Sequence, residues 1–330
     1  MFLLWPLLLL SSCAERDVHS IVKKNLQAPD ISQQILAVYE PWFGDRDHIN
    51  VGYSSHDAAV LHSQIAQAKS LGISGFVVDW YGTRKPFLDE TFARLVDAAK
   101  ASQDFQLAIM YDELTNDPNR DMTDDAIAAL DYGYQQYIGV NGSARDLYLN
   151  YRGQPVIFIW PNSKTTDWNK VRAHVASWKP APPLLIFKDQ ETKNASLPAD
   201  GYYAWIHPGP SGWAKDGSNW GRQYLDNFYS RMESHFPEKI VIPTIWPRFN
   251  DSEARWSESR YMSGRCGKTL QQTIDAFKEN AAGLKNDPYL LIATWNDYEE
   301  GTAIESGIAS PQISQIVKQA ECGGGAQQGR

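Results

Sequence analysis

The sequence is short of cysteine, of positive charge and of long apolar runs. Three cysteines in 330 residues are too few for a Cys-rich metal cluster or a small disulfide scaffold. Lys and Arg number 31 against 39 Asp and Glu, a formal net charge of −8. That balance argues against a nucleic-acid partner, because phosphate binding needs clustered Lys and Arg. No apolar stretch approaches the roughly 20 residues that cross a bilayer as a helix. Several catalytic signatures are missing as well. There is no Gly-x-Ser-x-Gly elbow, no His-Glu-x-x-His pair among the seven His, and no Gly-rich phosphate loop after an early strand. These gaps speak against a serine hydrolase, a zinc hydrolase and a doubly wound nucleotide-binding sheet. No cofactor and no metal are expected. What the chain does have is aromatic surface, with 12 Trp, 16 Tyr and 12 Phe.

The opening Met1-Phe2-Leu3-Leu4-Trp5-Pro6-Leu7-Leu8-Leu9-Leu10 suits the apolar region of a secretory signal peptide. No Lys or Arg precedes it. Leu10-Ser11-Ser12-Cys13 resembles a bacterial lipobox. Residues 1–12 therefore read as a signal peptide, Cys13 as a lipidation site, and 13–33 as a lipidated N-terminus and linker. The protein is expected to be exported and lipid-anchored to a bacterial membrane, in the periplasm or at the cell surface. In an oxidising compartment Cys266 and Cys322 either pair or remain two thiols. Residues 321–330, rich in Gly and Gln, read as a flexible tail.

Eight short apolar runs punctuate the rest, at 35–39, 75–80, 106–111, 155–160, 184–188, 202–206, 240–246 and 290–295. Their starts recur about every 36 residues, the length of a strand–helix unit. Helical apolar periodicity fills the gaps at 57–71, 89–102, from 123, 166–178, 220–236 and 269–284. Only about a dozen residues separate the fifth and sixth runs, so that helix is short or missing. No linker, charge run or internal repeat divides the chain. The pattern predicts an α/β fold, a single (β/α)8 TIM barrel over 34–320, and a monomer.

Active sites in such barrels lie at the C-terminal ends of the strands. Six runs end with, or are soon followed by, Trp: Trp42, Trp80, Trp160, Trp205, Trp246 and Trp295; a seventh ends at Tyr111. Indoles at equivalent positions suggest an aromatic cup for sugar rings, with some of the six serving as the top packing layer. Carboxylates gather on the same rim: Glu40, Asp79, Asp112, Glu113 and Asp189. Lys188 beside Asp189 reads as a plain ion pair. His207 stands at a strand end, and Arg248 and Asp251 follow the seventh run, in reach of sugar hydroxyls or paired on the surface. The densest group is Trp295-Asn296-Asp297-Tyr298-Glu299-Glu300-Gly301-Thr302-Ala303-Ile304-Glu305. Four acids among apolar residues fit glycoside hydrolysis, in which one carboxylic acid protonates the leaving oxygen and a second carboxylate acts as nucleophile or base.

This last segment resembles the Phe-Asn-Glu-Trp-His-Glu-Gly-Thr-Gln-Ile-Glu run of glycoside hydrolase family 99, the endo-acting α-mannosidases and α-mannanases. Its Trp-Asn-Asp-Tyr portion is also similar to family 71, the α-1,3-glucanases. Val38-Tyr39-Glu40-Pro41-Trp42-Phe43-Gly44 is similar to the family's Tyr-Tyr-Pro-Trp-Tyr start, and Tyr53-Ser54-Ser55, Asp57, Gly72-Ile73 and Asp79-Trp80-Tyr81-Gly82 continue the likeness in order. The resemblance implies a (β/α)8 barrel and a retaining mechanism through an anhydro-sugar. One carboxylate acts on the sugar's own 2-hydroxyl, and the other is general acid and later base. By position these roles fall on Asp297 and Glu300. Two departures stand out: Asp297 is one methylene shorter than the family Glu, and Glu299 replaces a His. The expected activity is hydrolysis of an α-linked polysaccharide or glycan, of α-mannan or α-glucan type. The expected catalytic pair is Asp297 and Glu300. Glu40, Asp79, Tyr81, Tyr111, Glu113 and His207 are candidate substrate contacts. So are Asn296, Tyr298, Arg248 and the indoles Trp42, Trp80, Trp160, Trp246 and Trp295. The alternative is a non-catalytic glycan-binding or polysaccharide-processing accessory lipoprotein on the same barrel.

Overall fold

The computed structural model describes residues 18–308, 310 and 313. The signal peptide 1–12, the lipobox with Cys13, the tail 321–330 and Cys322, one of the two cysteines whose pairing the sequence leaves open, lie outside the described residues.

Near-continuous Val, Ile and Leu runs form the inner ring, as expected for strands covered on both faces. The strands are β1 (Gln34–Tyr39), β2 (Gly75–Trp80), β3 (Gln106–Asp112), β4 (Gln154–Trp160), β5 (Leu184–Lys188), β6 (Gly201–Tyr203), β7 (Ile240–Ile242, resumed at Thr244–Ile245) and β8 (Tyr289–Ile292). Every neighbouring pair is parallel, and β8 pairs with β1. Pro243 splits β7, because it has no N–H to donate to the ladder. The first piece of β7 pairs with β6 and the second with β8. The Pro243 carbonyl still accepts from Leu291 N–H at 2.9 Å, so the ring closes across the break.

The outer layer contains α2 (Ala58–Ser70), α3 (Pro86–Ser102), α4 (Thr123–Gly133, extended by a π turn at Tyr134–Ile138), α5 (Trp168–Val175), α6 (Arg222–His235) and α7 (Lys268–Asn280). Asp57 starts α2 by accepting from Ala59 N–H at 2.8 Å, as an N-cap should. Between β5 and β6 there is only the 3₁₀ segment Glu191–Ser196, the short link that the spacing required. One expectation is corrected. Part of the stretch read as linker is helix α1 (Val18–Leu26), with Ile21, Val22 and Leu26 buried. Asn25 on α1 bonds Gln271 on α7 at 3.0 Å. Among the described residues no helix is long and apolar enough to cross a membrane.

Candidate active site

Five carboxylates converge at the C-terminal mouth of the barrel. Glu40 follows β1, Asp79 is the penultimate residue of β2, Asp112 ends β3, and Asp297 and Glu300 lie on the segment after β8. All five line one cavity of about 600 Å³, walled by Trp42, Tyr81, Trp160, Trp205 and Trp256, a volume in the range of small-molecule sites. Glu40, Asp79 and Asp297 are buried, at 4%, 6% and 3% exposure. Glu40 Oε2, Asp79 Oδ1 and Trp42 Nε1 are buried polar atoms with no hydrogen-bond partner among the described residues. Such atoms are costly unless a ligand meets them.

Burial and crowding set the charge state. Burial, then the charges of Asp79, Asp297, Glu300 and Asp112, push the Glu40 carboxyl well above its usual range. Asp79 is pushed by burial to about 7, although a hydrogen bond from Tyr81 pulls the other way. Asp112 is raised by burial and by Asp79 against the pull of Lys188. Asp297 is raised by burial and by Glu300. Glu300 is raised by burial, with the indole N–H of Trp256 opposing. Carboxylates so close cannot all ionise near neutral pH. The site therefore holds protons as well as negative charge, which acid–base chemistry requires.

The segment after β8 divides its four acids between site and scaffold. Asp297 Oδ1 accepts from Glu300 N–H at 2.9 Å, and Asp297 N–H donates to Thr294 Oγ1 at 2.9 Å. Thr302 and Ala303 N–H both donate to the Asp297 carbonyl at 3.0 Å. This tight turn keeps Asp297 and Glu300 on the cavity. Glu299 turns away and pairs with His48 Nδ1 at 2.8 Å. The His48 ring stacks under Trp42 at 4.7 Å, so Glu299 steadies an aromatic wall. Glu305 accepts from Tyr53, Tyr298 and Gln64. Asn296 exchanges two hydrogen bonds with the Glu40 backbone, at 2.7 and 2.9 Å. It acts as a strap that fixes where Glu40 points.

Trp256 and Arg260 come from the loop that follows β7. Trp256 Nε1 donates to Glu300 Oε1 at 2.9 Å. The loop is closed on Asp251, whose fully buried carboxylate accepts from Ser257 Oγ, Glu258 N–H, Arg260 N–H and Arg260 Nε. Burial works against its ionisation, but these donors outweigh it and hold Asp251 below its usual range. Asp251→Ala is expected to destabilise the fold by about 3 kcal/mol, since it strands several buried donors. It should also quench the ordered fluorescence of Trp256. Chemical denaturation and tryptophan emission read both effects, and an unchanged midpoint would contradict this account of the loop.

The structure brings some of the expected residues together and sets others apart. Glu40, Trp42, Asp79, Tyr81, Trp160, Asp297 and Glu300 line the cavity, and Glu113 reaches its edge. Both Glu113 oxygens are already engaged, by Asn162 N–H, Ser163 N–H and Thr166 Oγ1. His207 is on the rim of an adjoining lobe. Trp80, Trp246 and Trp295 are not stacking walls, because all three are fully buried. Trp80 points into the helix layer and donates to Asp89 at 3.0 Å. Trp246 donates to the Trp220 carbonyl at 3.2 Å. Trp295 packs on Phe76 at 5.5 Å. Tyr111, Tyr298 and Asn296 are likewise buried supports. Arg248, also buried, donates to the Ala303 carbonyl at 2.7 Å, and Asp251 is a loop anchor, so neither meets the cavity. The Lys188–Asp189 ion pair is also corrected. Asp189 is taken by Arg231 at 2.7 Å and Asn194 at 2.7 Å. The Lys188 ammonium instead lies 3.5 Å above the Trp160 ring. Trp256, Arg260 and His48 escaped the sequence reading. Their signal was a long loop after a barrel strand that carries Trp and Arg, and loops on this face hold function in such barrels. Among the described residues no group of three or more His, Cys, Asp and Glu side chains is arranged to hold a metal ion.

No family model and no curated protein matches the chain. Solved structures do. The glycoside hydrolase family 99 endo-α-mannosidase from Bacteroides thetaiotaomicron, in complex with BIS-TRIS-propane, superposes with a TM-score of 0.65 at 17% identity over 84% of this chain and 88% of that one. A second structure of an endo-α-mannosidase of that family and organism gives 0.65 at 16% identity over 87% and 95%. A glycoside hydrolase-like protein gives 0.58 at 14% identity over 88% and 94%. The fold of this chain is thus the (β/α)8 barrel seen in family 99 endo-α-mannosidases.

Proposed function

We propose that the protein is a glycoside hydrolase that cleaves an α-linked polysaccharide or glycan, of α-mannan or α-glucan type. The observation that carries this reading is the buried carboxylate cluster, open to an aromatic-walled cavity at the barrel mouth. Glu300 is the general acid. Burial favours the protonated form of Glu300 and of Asp297 alike, so the roles rest on position: Glu300 hands its proton to the departing glycosidic oxygen as the C1–O bond breaks. Asp297 is the base, and takes the proton from the oxygen that attacks C1. Trp42, Trp160 and Trp205 offer faces to the C–H patches of the sugar rings. An anchor through Cys13 would hold the enzyme at a bacterial membrane surface, where large glycans arrive.

The shortness of Asp297 makes its variant informative. Asn at 297 keeps an oxygen to accept from Glu300 N–H but loses the charge. Asp297→Asn is therefore expected to lower turnover about 10²-fold or more without lowering Tm. Full activity in the variant would remove Asp297 from the reaction. One observation favours the second reading, a non-catalytic glycan-binding accessory protein: Asp297 Oδ1 is already committed to the Glu300 backbone. That reading predicts saturable glycan binding with no turnover in the wild type.

A further inference from the structure

The cavity at the barrel mouth has a second lobe, and the crowded carboxylates after β1, β2, β3 and β8 belong mostly to the first. Glu40, Asp79, Asp112 and Asp297 line only the first lobe. The second is about 500 Å³ and lies over β5 and β6, with Lys188, His207 and Arg260 on its walls. Trp160, Trp205, Arg260 and Glu300 border both lobes, so Glu300 stands at the junction.

The cationic groups of this lobe are incompletely partnered. Lys188 makes no ion pair within 4 Å among the described residues, because its neighbour Asp189 is held by Arg231. Its ammonium rests on the Trp160 face and stays within the lobe. Arg260 spends Nε on Asp251 at 2.7 Å, with Glu258 at 3.8 Å from the same nitrogen, and its terminal nitrogens make no hydrogen bond with the described residues. His207 Nδ1 accepts from Gly209 N–H at 2.9 Å, which ties up one nitrogen of the ring. The remaining carboxylates here, Glu191 and Glu258, are on the exposed rim. Trp205 and Trp213 supply apolar faces.

We infer that the second lobe is a subsite for an acidic sugar: the leaving-group side of the cleaved bond carries an anionic substituent, a uronate carboxylate or a sulfate ester, read by Lys188 and Arg260. This rests on the hydrolase reading, which puts the acid Glu300 between the sugar that is attacked and the sugar that departs. A sugar beside Glu40, Asp79, Asp112 and Asp297 is read as neutral: a further negative charge there would be repelled, and the cations on that lobe alone, Lys85 and Arg255, both pair with Asp47. A sugar held beyond Glu300 meets instead the Lys188 ammonium, which has no ion pair among the described residues, and the terminal nitrogens of Arg260. An ammonium and a guanidinium fork on aromatic faces recognise carboxylate and sulfate oxygens through charge-assisted hydrogen bonds.

Calorimetry on the full chain tests the subsite, with four tetrasaccharide probes: α-linked galacturonate, sulfated α-fucan, neutral α-mannose and neutral α-1,3-glucose. Binding of at least one acidic probe about tenfold tighter than both neutral ones is expected, with the preference weakening at high salt. Tighter galacturonate binding would identify the carboxylate, and tighter fucan binding the sulfate. Lys188→Met should shrink the acidic-to-neutral affinity ratio to near unity, and Lys188→Arg should restore it; circular dichroism checks that both variants fold. Equal or better binding of neutral probes, or a preference that survives Lys188→Met, would overturn the inference. Product release in the same samples separates the two claims. Cleavage of a neutral glycan with no acidic preference would sink the subsite and keep the hydrolase. Acidic binding without cleavage would keep the subsite and count against the hydrolase.

Discussion

Glu300→Gln is expected to lower turnover on unactivated glycans by about 10³-fold, the upper range for loss of a general acid. Binding should persist, because Gln keeps the length, the shape and an oxygen to accept from Trp256 Nε1. The loss should depend on the leaving group. A glycosidic oxygen departing as a sugar alkoxide needs the proton, whereas an aryl oxygen of low basicity leaves without it. Aryl α-glycosides should therefore lose much less rate in the variant than oligosaccharides do. An equal loss on both substrates would assign Glu300 to positioning and not to proton transfer.

The second large effect is on stability. Asp79 is buried, one of its oxygens has no partner, and its folded-state pKa is raised from 3.8 to about 7. A raised carboxyl pKa means that the folded state holds a proton which the unfolded chain has released. Its contribution to stability is full below about pH 4 and is lost as pH rises through about 7. Asn holds no such proton to lose. Asp79→Asn is therefore expected to be more stable than the wild type by a few kcal/mol at pH 8, with the gap shrinking toward pH 4. Glu40 is raised in the same direction, so its Gln variant should follow the same slope. Thermal melts across this pH range give the answer directly. A gap that is the same at pH 4 and pH 8 would mean that Asp79 is not carrying the strain of the charge cluster. Variants that gain stability while they lose function mark a site whose charges serve the ligand and not the fold.

The barrel was legible in the sequence because buried parallel strands write themselves as short Val/Ile/Leu runs, and the spacing of those runs is set by the helices between them. The end of β7 was not legible. The run 240–246 reads as one strand, and Pro243 makes it two by withholding a single N–H. The rim acids were legible too, since each follows directly on an apolar run. Which way each side chain turns was not. Trp80 and Asp79 are adjacent in β2 and so point to opposite faces, one into the helix layer and one into the cavity. In the segment after β8 the four acids look alike in sequence, yet Glu299 and Glu305 are consumed by His48, Tyr53 and Gln64, far away along the chain. Lys188 was misread for the same reason. Its sequence neighbour Asp189 was the visible partner, while Arg231, which takes Asp189, comes from α6. Partner choice of this kind depends on contacts across the fold, which local patterning does not encode.

The central claim is that the carboxylate cluster at the barrel mouth cleaves a glycosidic bond. Product release from α-mannan, α-1,3-glucan and acidic α-linked glycans, with wild type and Glu300→Gln side by side, tests it most directly. New reducing ends are expected from at least one of these glycans with the wild type, and none above background with the variant. Equal release by both proteins, or saturable binding by both with no release, would contradict it.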